Sequence, residues 1–210
     1  MASTMKVVAF NGSPRKGGNT EQCLKMIEKE LSAQGIEMEI IQVGNQVKGC
    51  MACYHCLNTG SGHCVQKDAV NEWIDKMVEA DGIILASPVY YGGISGGMKC
   101  FLDRAFLSAG NKLHHKVGAA FVTLRRSGGL ETYQQLNAYM NTMEMVIATS
   151  DYWQAIHGLD KGEIMQDTEG VEVIQKLGRN MAWLMRVIDA AKGKIDPPQT
   201  GQRTMTNFVR

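Results

Sequence analysis

The sequence predicts an α/β fold with a doubly wound parallel sheet. Two observations carry this: short apolar runs alternate with segments of helical period, and every run is short enough to be a buried strand. A length of 210 residues fits one domain with a single principal site. We expect that domain over residues 1–193. Pro197-Pro198 and the polar residues beyond read as part of a C-terminal tail, 194–210, that leaves it.

Five strands are expected: Lys6 to Phe10, Glu37 to Val43, Gly82 to Ser87, Val117 to Leu124 and Met145 to Ser150. Five helices are expected between and after them, each with a core-facing stripe at three-four spacing. The stripes are Cys23, Leu24, Ile27 and Leu31; Val70, Trp73, Ile74 and Met77; Met98, Phe101, Leu102 and Ala105; Tyr133, Leu136, Met140 and Met143; and Ile174, Leu177, Met181, Leu184 and Ile188. Met140, Met143 and Met145 are read as core packing ahead of a substrate pocket.

The 22 basic residues almost cancel the 21 acidic ones, which excludes a strong electrostatic footprint for nucleic acid or an anionic membrane. Any phosphate must be held locally. The first residues lack a signal-peptide pattern and no apolar run approaches the roughly 20 residues of a membrane span, so a cytoplasmic location is expected. In a reducing compartment the six cysteines do not suggest a disulfide framework.

In an open parallel sheet, ligands bind at the carboxyl ends of the strands where the winding reverses. The loop Asn11 to Thr20 follows the first strand and opens the first helix, so free backbone N–H groups gather at a positive helix end. Ser13, Asn19 and Thr20 add side-chain donors, Arg15 adds charge, and Gly18 lets the backbone come close. The loop lacks the Gly-Lys-Ser/Thr ending of a triphosphate loop and does not fit the dinucleotide fingerprint, which leaves a monophosphate.

Gly-Ser-Pro-Arg-Lys-Gly-Gly-Asn-Thr resembles the phosphate loop of the NADPH-dependent FMN reductase family of the flavodoxin-like superfamily. Ser87 to Gly96 resembles that family's second flavin loop, and the similarity extends to about Trp183. The resemblance implies a three-layer α/β/α sandwich with strand order 2-1-3-4-5, bound FMN, and NAD(P)H as electron donor. Pro88, Val89, Tyr90, Tyr91 and Gly92 would meet the flavin ring. Arg125, Arg126 and Gly128 occupy the position of the third flavin loop, where the arginines can stabilise reduced flavin or reach a pyridine-nucleotide phosphate. No side chain need be an acid-base catalyst, because the flavin carries the chemistry. The family also implies a homodimer or homotetramer.

Cys50, Cys53, Cys56 and Cys64 lie in one loop with gaps of two, two and seven residues. This spacing suits a [4Fe–4S] cubane and resembles the motif of the iron-sulfur flavoprotein branch. Zinc on the same thiolates and free or redox-active thiols stay open as alternatives. Cys23 and Cys100 read as small core residues. His55 and His63 lie near the loop but read as surface or packing residues.

The expected activity is an FMN-dependent oxidoreductase passing electrons from NAD(P)H to a small acceptor or redox protein. The alternative is a non-enzymatic flavin electron carrier between protein partners. The nearly neutral chain and its Ser-Pro-Arg loop favour the first.

Overall fold

The computed structural model describes residues 4–199 together with 201, 204, 206 and 208. The expected tail therefore lies partly outside the described residues. In chain order the elements are β1 (Lys6–Asn11), α1 (Asn19–Ser32), β2 (Glu37–Gln42), α2 (His55–Thr59), α3 (Val70–Glu79), β3 (Gly82–Tyr90) and β4 (Gly93–Ile94). They continue as α4 (Gly96–Ala109), β5 (Val117–Leu124), α5 (Gly129–Thr142), β6 (Val146–Ile147), β7 (Ala155–His157) and α6 (Thr168–Ala191).

The sheet runs β2-β1-β3-β5-β6, with all neighbours on this path parallel. Period-two alternation divides its side chains between two cores. Val8, Phe10, Ile83, Leu85, Ala120 and Val122 pack under α3, α4 and α5. Val7, Ala9, Ile84, Ala86, Ala119 and Phe121 pack under α1 and α6. This is the three-layer flavodoxin-like sandwich. Met140 and Met145 are buried in the first core and Met143 packs against it, in line with the core-packing reading.

The last strand departs from the expectation. Instead of one run from Met145 to Ser150, it is split. β6 pairs only with Val117 and Gly118, and β7 pairs with Val122 to Leu124. The chain leaves the sheet after Ala148, whose N–H donates to Gly118, and returns at Gln154, whose carbonyl accepts from Val122. The excursion carries the exposed Tyr152 and Trp153, whose rings lie 5.1 Å apart. β3 also runs three residues beyond Ser87 and folds back through the short hairpin strand β4.

From β1 the winding goes outward to β2 on one side and to β3 on the other. The crevice above β1 and β3 is therefore where a ligand site belongs.

Candidate functional site

The loop after β1 is folded by its own side chains. Asn11 Oδ1 accepts from the Ser13 N–H at 3.0 Å and Ser13 Oγ accepts from the Arg15 N–H at 3.2 Å. Asn11 Nδ2 donates to Gln42 Oε1 at 2.8 Å, and Gln42 Nε2 donates in turn to the Ser13 carbonyl, which ties the loop to β2. Gly12 donates its N–H to Ala86 at 2.8 Å, and a Cβ there would lie 2.9 Å from both the Ala86 carbonyl and Met98 Cβ. Only glycine lets the loop pass this close to β3 and α4.

Gly18 caps α1 without a side-chain bond, so the first-turn amides of Asn19, Thr20 and Glu21 have no intrahelical acceptor. Glu21 reaches back to the Gly17 N–H at 2.6 Å. That hydrogen bond, assisted by Lys25, holds its carboxyl below the usual range despite some burial. The loop is thus preformed with an anion-seeking end.

Three further loops complete the site. A cleft of about 180 Å³ is lined by Ser13, Arg15, Gly18, Asn19 and Thr20 from the first loop, Pro88, Val89 and Tyr90 from the end of β3, Thr123, Leu124 and Arg125 from β5, and Gly158, Leu159 and Lys161 after β7. Thr20 Oγ1 and Thr123 Oγ1 share a buried hydrogen bond of 2.8 Å that joins α1 to β5. Ser95 Oγ donates to the Gly12 carbonyl at 2.6 Å, fixing the second loop to the first.

Asn19 has a different neighbourhood from the one its spacing suggests. Its amide nitrogen donates to the carbonyls of Asp160 at 3.0 Å and Gly158 at 3.4 Å, and its oxygen accepts from Gly162 at 2.8 Å. Its side chain braces the fourth loop, leaving its main-chain N–H for a ligand. Tyr90 lines the cleft, whereas Tyr91 at the hairpin tip is fully exposed with φ 51°. Gly92 and Gly128 meet: a Cβ on Gly128, whose φ is +85°, would lie 3.0 Å from Gly92 Cα. Arg125 faces the cleft, while Arg126 and Gly128 line a neighbouring cavity of about 350 Å³ beside Tyr152 and Trp153.

Sequence reasoning missed the fourth loop. Lys161 Nζ lies 3.0 Å from where a Gly17 Cβ would stand, so it is a second cation over the first loop beside Arg15. Its only signal is the Gly-Leu-Asp-Lys-Gly turn, which gains meaning once β7 is seen.

The cysteine loop lies outside this cleft, against α4. Cys50 and Cys53 are exposed, Cys56 and Cys64 half-buried, and none of the six cysteines is in a disulfide. Four thiols in one loop fit a thiolate-bound iron-sulfur group in kind and order. The sulfurs are not gathered, however: among the described residues no three Cys, His, Asp or Glu side chains stand together as a metal site. Cys23 is buried as expected, and burial pushes its thiol up. Cys100 departs from the core assignment: it is half-buried, and its sulfur lies 3.8 Å from a Cβ position at Gly49. His63 pairs with Asp75 at 2.7 Å on the surface, and His55 opens α2 in the open.

Among known proteins, an iron-sulfur flavoprotein of Methanocaldococcus jannaschii is 36% identical over 193 residues, spanning 88% of this chain and 99% of that protein. An iron-sulfur flavoprotein of Methanosarcina thermophila is 30% identical over 195 residues, spanning 90% of this chain and all of that one. Among solved structures, RosB with a bound formylriboflavin phosphate intermediate superposes with a TM-score of 0.70 over 98% of this chain and 94% of that one, at 14% identity. An archaeal flavodoxin gives 0.58 over 87% of this chain and 99% of that one, at 19% identity. These last two show a shared fold. The sequence pattern of the NADPH-dependent FMN reductases matches residues 5–160, and the chain belongs to that family.

Proposed function

We propose that the chain binds FMN in the four-loop cleft and passes electrons from NAD(P)H through it to a small acceptor. The observation that carries this reading is one cleft, at the carboxyl ends of β1, β3, β5 and β7, in which helix-start amides without intrahelical acceptors share the lining with three cations, Arg15, Arg125 and Lys161. The amides of Asn19, Thr20 and Glu21, the Ser13 hydroxyl, Arg15 and Lys161 hold the phosphate. A helix dipole alone contributes only about 0.3–1 kcal/mol, so the hydrogen bonds decide the affinity.

Pro88, Val89 and Tyr90 form the wall for the ring, and Gly92 with Gly128 keeps the second and third loops in contact at its edge. Arg125 stands where negative charge develops on reduction, and Arg126 extends that field into the neighbouring cavity. Bound FMN would supply the hydride-accepting and electron-donating chemistry. The side chains bind, orient and shield, so no acid-base residue is assigned.

A second reading adds an iron-sulfur centre on Cys50, Cys53, Cys56 and Cys64, by analogy with the two relatives called iron-sulfur flavoproteins. The intact four-cysteine loop favours it. By family resemblance the chain works as a homodimer or homotetramer. Single-turnover reduction of the FMN-loaded chain by NADH and by NADPH tests the function. Rapid flavin bleaching followed by reoxidation with a quinone supports a reductase, whereas reoxidation by protein partners alone would favour the carrier.

A further inference from the structure

Helix α4 buries Met98, Phe101, Leu102 and Ala105 in the core, yet Cys100, Arg104 and Ser108 recur at four-residue spacing along another face. All three meet the cysteine loop or its flank. Cys100 lies beside Gly49, and the Ser108 carbonyl is 3.8 Å from a Cβ position at Gly62. The Ser108 hydroxyl is buried without a hydrogen-bond partner.

Arg104 between them is completely enclosed, with a side-chain exposure of 0%. Its Nη1 and Nη2 each donate to an Asp68 oxygen at 2.7 Å, Nη1 also donates to the Lys48 carbonyl at 3.2 Å, and Nε donates to Cys64 Sγ at 3.3 Å. One guanidinium therefore grips the loop before its first cysteine, at its last cysteine and beyond it. Asn71 holds the Cys64 main chain through both its N–H and its carbonyl, at 2.8 and 3.0 Å. Gln66 closes the base by donating to Gly49 at 2.9 Å. Cys50 and Cys53 stand exposed at the other end.

Burying a cation is costly, and replacing a buried ion pair by well-packed apolar side chains is often neutral or stabilising. What an apolar residue cannot do is aim an N–H at sulfur. We propose that Arg104 is the positioning residue of a sulfur-ligated metal centre, holding Cys64 Sγ as the fixed ligand toward which Cys50, Cys53 and Cys56 close. The inference rests on the iron-sulfur reading and is separate from FMN binding. Outer-shell donors of this kind orient ligands, and their loss weakens metal binding by about 10–100-fold.

The test uses the FMN-loaded 210-residue chain, made metal-free and then supplied anaerobically with ferrous iron and sulfide. In the wild type, Cys64 should be alkylated more slowly than Cys50 and Cys53; equal rates overturn the inference without any variant having to fold. Arg104→Gln should keep its FMN, raise hydrogen exchange across 48–68 by about tenfold or more, and weaken iron uptake by about 10–100-fold. Arg104→Lys keeps the charge but loses the fork, so it should not restore uptake. Wild-type exchange and iron uptake in Arg104→Gln, or full rescue by Arg104→Lys, would overturn the assignment. A wild-type chain that takes up no iron removes the inference together with the iron-sulfur reading, while FMN content reports on the flavin site independently.

Discussion

Replacing Asp68 by Asn leaves the shape of the Arg104 clamp almost intact and removes its negative charge. Arg104 is wholly buried and Asp68 one-third exposed at 33%, with two contacts of 2.7 Å between them. Breaking a fully buried pair costs about 3–5 kcal/mol, because the surviving charge has no partner. Water reaching the exposed side of Asp68 reduces that here, and we expect about 2–3 kcal/mol. For a domain of this size the loss corresponds to a Tm lower by about 5–10 °C. In urea the midpoint should fall with an unchanged m-value.

The pH dependence gives the sign. The Arg104 hydrogen bonds, aided by its charge and opposed by partial burial, hold the Asp68 carboxyl below its usual range. A lowered folded-state pKa gives stability that is present above the unfolded value of about 3.9 and lost as pH falls through the folded value. The gap between wild type and Asp68→Asn should therefore close in acid, below about pH 4. A variant within about 0.5 kcal/mol of wild type at pH 7, or a gap that persists in acid, would refute the account of the clamp.

Three further outcomes follow from the cleft. Asn19→Ala removes the brace on residues 158–162 and should lower stability by about 1–3 kcal/mol and weaken FMN binding, read by urea midpoint and flavin titration. Gly128→Ala places a Cβ at φ +85° against Gly92 and should cost about 1–3 kcal/mol, with FMN released more readily on dilution. Tyr90→Ala should weaken FMN binding more than Tyr91→Ala, since only Tyr90 lines the cleft; equal effects would place the ring elsewhere.

Much of this architecture is legible from residue patterns because buried parallel strands are continuous apolar runs. Val117 to Leu124 is buried at every position, and the helical stripes sit where their spacing puts them. The last strand is legible only in part: β6 falls inside the expected run from Met145 to Ser150, but the split and β7 are not, since the two pairing segments hold two and three residues, too few for any period. Gly158 and Lys161 were hidden for the same reason, since their place depends on β7. The Asn19 brace joins loops more than 130 residues apart, which no local pattern reports. Arg104 stood in plain view beside a core stripe, but its partners are 40, 36 and 56 residues away.

The central claim is that the cleft holds FMN, and it is tested most directly by the absorption spectrum and FMN content of the anaerobically purified chain, before and after NADH or NADPH. The account predicts stoichiometric flavin that bleaches on adding the pyridine nucleotide, whether or not iron accompanies it. A chain that carries no flavin and takes up none when FMN is supplied would contradict it.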